Sequence, residues 1–453
     1  MFKSALVKYE REILLLEKNI ISVLRENYTK GGGGKHNSDR LTPKEIQHFS
    51  QGWLILRDAF VDRPGSKDPN YLQDINARCS YIFHYVMPNV QRWLHMYETS
   101  RMPFLKEKFH NPIILDIGAG PATSVLAFLI FFHKQITGEV TIELTDFNLS
   151  ILKDGKLLIE KFAKDLGVQV KVFITGGMKK DLPPQVKNID FVLMGNVWNE
   201  GISSHEAARD RVLKQWTDTI LKLSKDSTKY LIMEPASRRS SRLLMGMRDY
   251  FANIKSFSII APCPAGLENK PCILNRISGR PWCHFGFNAL TTPFLQDATS
   301  YANISHARLS YSYLWLANKK SEIVLTARVI GGIMKLEENV GCYLCHQSGR
   351  VVLEAVDSKM LPAAGSAIIK KIKLEKFGKE VRAQIDESLP QPTSQKETKG
   401  NLPTKKSVVT YKPNPEVKKP ALKSNFVKVE PNKNAQDKAK ISPKRASKLP
   451  KKD

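Results

Sequence analysis

The chain has 453 residues, 42% hydrophobic and 25% charged, and its 70 Lys and Arg outweigh 44 Asp and Glu to give a formal charge of +26. That length supports a sizeable core and two or three structural units. No run of 18 apolar residues occurs, so no membrane helix is predicted, and six Cys over this length is far too few for a disulfide scaffold. The amino-terminal "MFKSALVKYEREILLLEKN" mixes Glu with Lys and resembles neither a secretory signal nor a transit peptide, so a reducing, cytoplasmic setting is expected. The basic surplus favours a polyanionic partner, above all nucleic acid, over a small metabolite.

In chain order, "KSALVKYEREILLLEKNIISVLREN" has apolar residues at helical spacing and is predicted to be an amphipathic helix. Gly31–Gly34 end it; with no strand before and no Lys-Ser/Thr after, "GGGGKH" reads as a linker rather than a phosphate loop. A helix follows over "LTPKEIQHFSQGWLILRDAF", with Thr42 as N-cap, Pro43 at the first helical position and Glu45 in the first turn. Another is predicted over "NARCSYIFHYVMPNVQRWLHMYETS", where Cys79 lies on the apolar stretch as a core residue. Residues 1–108 thus form a helical region.

The pattern then alternates. "NPIILDIGAGPATSVLAFLIFF" reads as strand, Gly-rich turn and helix, and "VTIELTDFNLSILKDGKLLIEKFAKDL" repeats it. "VKVFIT", "IDFVLMGNVWNEG", the helix "HEAARDRVLKQWTDTILKLS" and the strand "KYLIMEP" complete five strands. The fold class is therefore α/β, a parallel Rossmann-like sheet over residues 109–260 with helices on both faces and ligands beyond the strands' carboxyl ends.

Gly118 and Gly120 in "DIGAGP", followed by Pro121, suit a tight turn that lets backbone approach a cofactor. Asp146, 26 positions beyond Gly120, ends the second strand, where a carboxylate can accept from both ribose hydroxyls. The pattern looks like the class I S-adenosylmethionine-dependent methyltransferase fold; a nicotinamide site is the alternative, weakened by Pro121 and by the lack of a separate dehydrogenase-like domain. Asp116 can orient the methionine amino group or simply face water at a strand end. Asn196, Asn199 and Glu200 in "MGNVWNEG" line the same rim. No Asn/Asp-Pro-Pro-aromatic loop follows, and no general base is assignable, although a sulfonium donor needs mainly in-line positioning.

Arg238, Arg239 and Arg242 begin the next helix, where cations oppose the helix dipole; contacts with an RNA backbone explain them better than stability does. Cys263, Cys272 and Cys283 follow, separated by 8 and 10 residues, and Cys342 and Cys345 lie on one arm of a predicted β-hairpin, "ENVGCYLCHQSGRVVLEAV". Three readings stand on spacing alone: a zinc or iron-sulfur site, inert small hydrophobes, or Cys263 as a nucleophile in 5-methylcytosine chemistry. Residues 391–453 carry 17 Lys and Arg against 5 Asp and Glu, with many Pro and little apolar content. They are expected to be a disordered arm, solubilising or RNA-binding.

Taken together, "LDIGAGPATS", "DFVLMGNVWNEG", "IMEPASRRSSRLLMGMRDYF", "APCP" with a later "PC", "WCHF", "SYSYLWL" and "LCHQSGRV" resemble the bacterial and mitochondrial small-ribosomal-subunit methyltransferase-like family over residues about 40–375. The resemblance implies that Cys263, Cys272, Cys283 and Cys345 ligate a [4Fe-4S] cluster in a region spanning 261–375, with structural zinc as the alternative. It prefers Cys345 to Cys342 by the match to "LCHQSGR", and it places His284 beside the cluster or facing RNA. It also implies bound S-adenosylmethionine and association with the small ribosomal subunit and its rRNA, as a monomer without membrane contact. Two roles remain open, an rRNA methyltransferase and a non-catalytic assembly factor, and the mitochondrial matrix becomes an alternative compartment. The gaps between the first three cysteines are longer than is usual for the family, and the Lys-rich tail lies outside the resemblance.

Overall fold

Helix α1 (Glu10–Tyr28) forms where Ile13, Leu16, Ile20, Val23 and Leu24 recur every three or four residues, and all five are buried. The structure, a computed structural model, describes residues 4–29, 39–62, 71–100, 103–176, 186–201, 205–267, 270–276, 281–302, 306–318, 325–369, 372–377 and 380–385. These all belong to one unit within residues 1–396. The Gly31–Gly34 linker and the Lys-rich tail over 391–453 lie outside the described residues.

Thr42 and Glu45 form a reciprocal capping box that starts α2 (Pro43–Phe49): Thr42 accepts from the Glu45 N–H, and Glu45 accepts from the Thr42 N–H. The single helix expected here is instead two pieces, because the chain turns at Ser50–Gly52 before α3 (Trp53–Arg57). Helix α4 (Ile75–Ser100) is buried on most of its surface, Cys79 included, and packs against α1 and later elements. Neighbours enclose it so closely that polar Ser80, His84, Asn89, Gln91 and His95 are buried along with its apolar residues.

After the short strand β1 (Phe109–His110) come β2 (Ile113–Ile117), α5 (Thr123–Phe132), β3 (Ile136–Thr137), β4 (Glu139–Asp146), α6 (Leu149–Leu166), β5 (Gln169–Gly176), β6 (Ile189–Gly195), α7 (Trp198–Gly201), α8 (Glu206–Leu223), β7 (Ser224–Pro235) and α9 (Arg238–Ala252). Strands β1 and β3 pair only with each other. The central sheet runs β5-β4-β2-β6-β7, all parallel. Strand order reverses at β2 and β6, so the crevice beyond their carboxyl ends is where an open α/β sheet binds its ligand. The apolar decapeptide "TSVLAFLIFF" is α5, buried beneath α4 and beside the sheet.

The sheet continues through β8 (Ser258–Ala261), β9 (Phe285–Asn288), α10 (Pro293–Ala302) and β10 (Arg308–Ala317). Strand β10 lies antiparallel to β7, β8 and β9, so three chain segments meet along one strand. Beyond it stand β11 (Ala327–Lys335), the hairpin β12 (Val340–His346) and β13 (Gly349–Ala355), then β14 (Ala367–Ile368), β15 (Ile372–Phe377) and β16 (Glu380–Ile385). The cysteine hairpin is thus an extension of the same sheet. No helix among the described residues is long and apolar enough to cross a membrane.

One buried side chain ties these layers together. Arg328 on β11 has no solvent exposure, and its guanidinium donates to the carbonyls of Pro262 (3.1 Å), Thr99 (3.0 Å), Gly365 (2.8 Å) and Ser100 (3.3 Å). The end of α4, the segment after β8 and the turn before β14 are held by one planar fork. Arg328→Met should leave these buried carbonyls short of donors and cost at least about 3 kcal/mol; urea denaturation measures it, and a loss below about 1 kcal/mol would contradict the assignment.

Candidate cofactor rim and cysteine pocket

Backbone strain marks the crevice. Gly118, Gly120 and Ala122 all have positive φ, at 64°, 51° and 62°. At Gly118 a Cβ would stand 2.5 Å from Val197 Cγ2, so this glycine admits a side chain of the β6 loop; at Gly120 the space is open and the left-handed φ is the requirement. Asp146 straps the turn to β4: Oδ2 accepts from the Gly120 N–H at 3.0 Å and Oδ1 from the Asn148 N–H at 2.9 Å. The Phe147 N–H also stabilises this carboxylate, which keeps some accepting capacity for a ligand. Burial raises the Asp146 pKa, and the backbone N–H groups of Asn148 and Gly120 oppose that rise.

Asp116 is fully buried. Ser124 Oγ donates to Oδ2, while Oδ1 has no partner among the described residues. Burial pushes its pKa up to about 8, against the Ser124 hydrogen bond and with help from the Asp146 charge. A buried carboxylate oxygen without a donor suits a cationic group. Sequence reasoning missed Phe147, 69% exposed beside Asp146. A large apolar residue directly after a strand-end acid was the available signal.

Across the crevice, Asn196 has φ 61° and its N–H donates to the Met233 carbonyl at 2.8 Å. Buried Glu234, also missed, accepts from the N–H groups of Trp198 (2.9 Å) and Asn199 (3.2 Å), fixing the loop after β6. Asn199 Oδ1 is buried without a partner, and the side chain of Glu200 lies outside the described residues.

All six cysteines are free. Cys263, Cys272 and Cys283 line one recess of about 30 Å³ together with Arg248, Met245 and Tyr313. Cys345 reaches the same place from β12: after burial, the charges of Cys263, Cys283 and Cys272 raise its pKa well above normal. Cys283 is likewise raised, first by burial and then by Cys272 and Cys263; Cys272 is pushed up to about 11 by burial and Cys263. Cys342 is three positions from Cys345 on one strand and so faces the other way, packing with Val329, Leu344 and Leu353 in a separate apolar cluster. Burial alone raises it to about 12.

Arg248, 4% exposed, donates through Nε to Cys263 Sγ at 3.3 Å and through its terminal nitrogens to the carbonyls of Leu267 and Lys270. Asp249 joins Arg248 at 3.0 Å, accepts from the Cys272 N–H at 2.6 Å and from Asn275 Nδ2 at 2.8 Å. Still, no group of three or more His, Cys, Asp or Glu side chains among the described residues is arranged to hold a metal ion.

Between rim and recess, Arg238 and Arg239 are exposed, and Arg242 donates to the Pro281 carbonyl at 3.3 Å. The Trp282 and His284 rings stack with centroids 5.2 Å apart and 25° between planes, and the Arg238 guanidinium lies 5.9 Å from the Trp282 centroid.

Curated relatives that match include the glutamine-hydrolysing GMP synthases of Neisseria meningitidis and Neisseria gonorrhoeae, 27% identical over 131 residues, 28% of this chain and 20% of theirs. The chain therefore spans about a fifth of the length of the curated relatives it matches. Among solved structures, a plantazolicin methyltransferase in complex with SAH is 10% identical, covering 61% of this chain and 98% of that one, with a TM-score of 0.32. Precorrin-6y C5,15-methyltransferase from Geobacter metallireducens is 11% identical over 50% of this chain and 86% of its own, with a TM-score of 0.27. A SAM dependent methyltransferase from Aquifex aeolicus is 11% identical over 44% and 94%, with a TM-score of 0.28. Scores of this size do not establish correspondence of individual strands. A family profile described as mitochondrial small ribosomal subunit Rsm22 matches residues 99–378, more than half of the chain and inclusive of both the rim and the four converging cysteines, and the chain belongs to that family.

Proposed function

We propose that the protein binds S-adenosylmethionine at the crevice, holds a [4Fe-4S] cluster on Cys263, Cys272, Cys283 and Cys345, and acts as a monomer on the small ribosomal subunit through its rRNA. The observation that carries this reading is the family match over residues 99–378, which takes in both sites. The family's mitochondrial description favours the matrix over the cytoplasm as compartment.

For S-adenosylmethionine, the unpartnered Asp116 Oδ1 suits the methionine ammonium, the remaining accepting capacity of Asp146 suits the ribose hydroxyls, and exposed Phe147 suits the adenine face. The turn Gly118–Pro121 brings backbone close, while Asn196 and Asn199 stand on the opposite side. The cofactor supplies a methyl group on a sulfonium, and the chain's task is to orient it. A non-catalytic assembly role stands as the second reading, favoured by Val197 packed directly on Gly118 within the crevice.

For the cluster, the support is the type of donor and the charge around it, not an arrangement of the four cysteines already set for a metal. Two buried guanidiniums, Arg248 and Arg328, border four cysteines; among the described residues Arg328 bonds carbonyls and no carboxylate, so its charge calls for an anion. Zinc needs four sulfurs each about 2.3 Å from one centre, whereas a cubane places one thiolate on each of four irons and needs a wider recess.

Three measurements test the reading. Asp116 has a folded pKa of about 8 against an ordinary 3.8, so its contribution to stability is full below 3.8 and is lost as pH rises toward 8. Wild type should melt at falling temperature between about pH 5 and about pH 8, Asp116→Asn should flatten that slope, and S-adenosylmethionine should restore stability at the upper end in wild type alone; parallel slopes would contradict the role of Asp116. Cys345→Ser should abolish visible absorption and iron content in anaerobically purified protein and lower its stability, while Cys342→Ser should keep both; one zinc per chain without visible absorption would reject the cluster. Tritiated methyl transfer to small-subunit RNA separates enzyme from assembly factor, since labelling is expected only of the first.

A further inference from the structure

Residues 281–284 cross the molecule between its two candidate sites. Cys283 turns into the cysteine recess, while its neighbours Trp282 and His284 turn away from it together and stack on one another. The pair is fixed from several directions. Trp282 Nε1 donates to the Ala236 carbonyl at 3.1 Å, His284 Nδ1 lies 3.1 Å from the Trp282 carbonyl, and Ser312 Oγ donates to the Cys283 carbonyl at 2.8 Å. Rings held this firmly lose little freedom on meeting a ligand.

Their position is as informative as their rigidity. Ala236 directly follows β7, whose Glu234 holds the loop after β6, so the rings stand beside the crevice. Arg238 covers part of the Trp282 ring, and Arg238 and Arg242 have no carboxylate partner among the described residues. Arg238 opens helix α9, where the helix dipole disfavours a cation, so helix stability does not account for it. Flat aromatic faces with guanidinium planes and unneutralised positive charge are the chemistry that receives unpaired nucleobases and their phosphates. A paired A-form duplex hides those base faces, which commits the site to single-stranded or bulged RNA.

We propose that Trp282, His284 and Arg238 form a stacking platform for an unpaired nucleobase of an RNA strand lying across the crevice, with Arg239 and Arg242 facing its phosphates. The proposal rests on the RNA-directed reading above and adds where, and in what form, the RNA is held.

The test uses the full-length chain and a 12-nucleotide single-stranded RNA carrying one 4-thiouridine, titrated at about 0.3 M salt so that purely electrostatic contacts are suppressed. His284→Ala and Arg238→Ala should each weaken binding roughly 5- to 30-fold with unchanged melting temperature, and Trp282→Phe, which keeps a stacking face, should stay near wild type. Arg239→Ala should lower the salt slope by about one. Photo-adducts should map to residues 281–288. Unchanged affinity in the His284 and Arg238 variants, adducts confined to the Lys-rich tail, or equal competition by a duplex of the same sequence would overturn the platform while leaving RNA binding intact. Such a result would assign the stacked rings to a protein partner instead. Failure of the wild-type chain to bind any single-stranded RNA, even at low salt, would overturn the platform and the RNA-directed reading together.

Discussion

The guanidinium of Arg328 is the constraint on which the two halves of the molecule depend. It is buried completely, bonds four main-chain carbonyls from three distant segments and meets no carboxylate among the described residues. The carbonyls satisfy its donors but leave its charge in a low-dielectric interior, where charges need opposite partners. The register of β11 against β12 sets Arg328 opposite Cys345, and its Pro262 contact lies one residue from Cys263. The four thiols therefore gather around positive charge. A thiolate-ligated group would balance it, which links how the C-terminal strands attach to what the recess is proposed to hold.

At the other site the strain runs the opposite way. Asp116 is fully buried with the half-buried Asp146 nearby, and the charge of Asp146 raises the cost of ionising Asp116 further. Asp146 offsets its burial by accepting from the backbone N–H groups of Gly120, Asn148 and Phe147 and so pre-forms the turn at Gly120. Asp116 has only Ser124 and an empty-handed second oxygen. One acid shapes the rim and the other leaves a polar demand inside it. That division is the pattern expected where a protein trades stability for a binding site.

How much of this was legible in the sequence depends on the range of each interaction. The Thr42–Glu45 box and the strand-turn-helix repeats act over a few residues, and their chemistry can be read directly. Cys342 and Cys345 were also separable, because a spacing of three on a strand puts them on opposite faces; the family motif chose Cys345 without using that argument. By contrast Arg328, with partners 37 to 229 positions away, carries no local signal. Glu234 is equally silent, since its role is defined by the N–H groups of Trp198 and Asn199 on another strand's loop. The break between α2 and α3 was missed for the same reason: Gly52 meets the backbone of Asn76 at 2.3 Å from where a Cβ would be, a tertiary contact that overrides helical periodicity.

The segment 281–284 joins these two strands of argument. Its central cysteine faces the recess and its flanking rings border the rim, so neither can be placed without the other. Ser312 on β10 holds the Cys283 carbonyl and lies 2.5 Å from Ser241 Oγ on α9, the helix that also carries Arg238 and Arg242. Displacement of Cys283 would thus shift the stacked rings relative to the arginines through only two hydrogen bonds. Because close-packed elements have few alternative arrangements, a group that ordered the four cysteines would also order the aromatic surface beside the crevice. The proposed cysteine site would then have a structural purpose for the proposed RNA platform whether or not a methyl group is transferred.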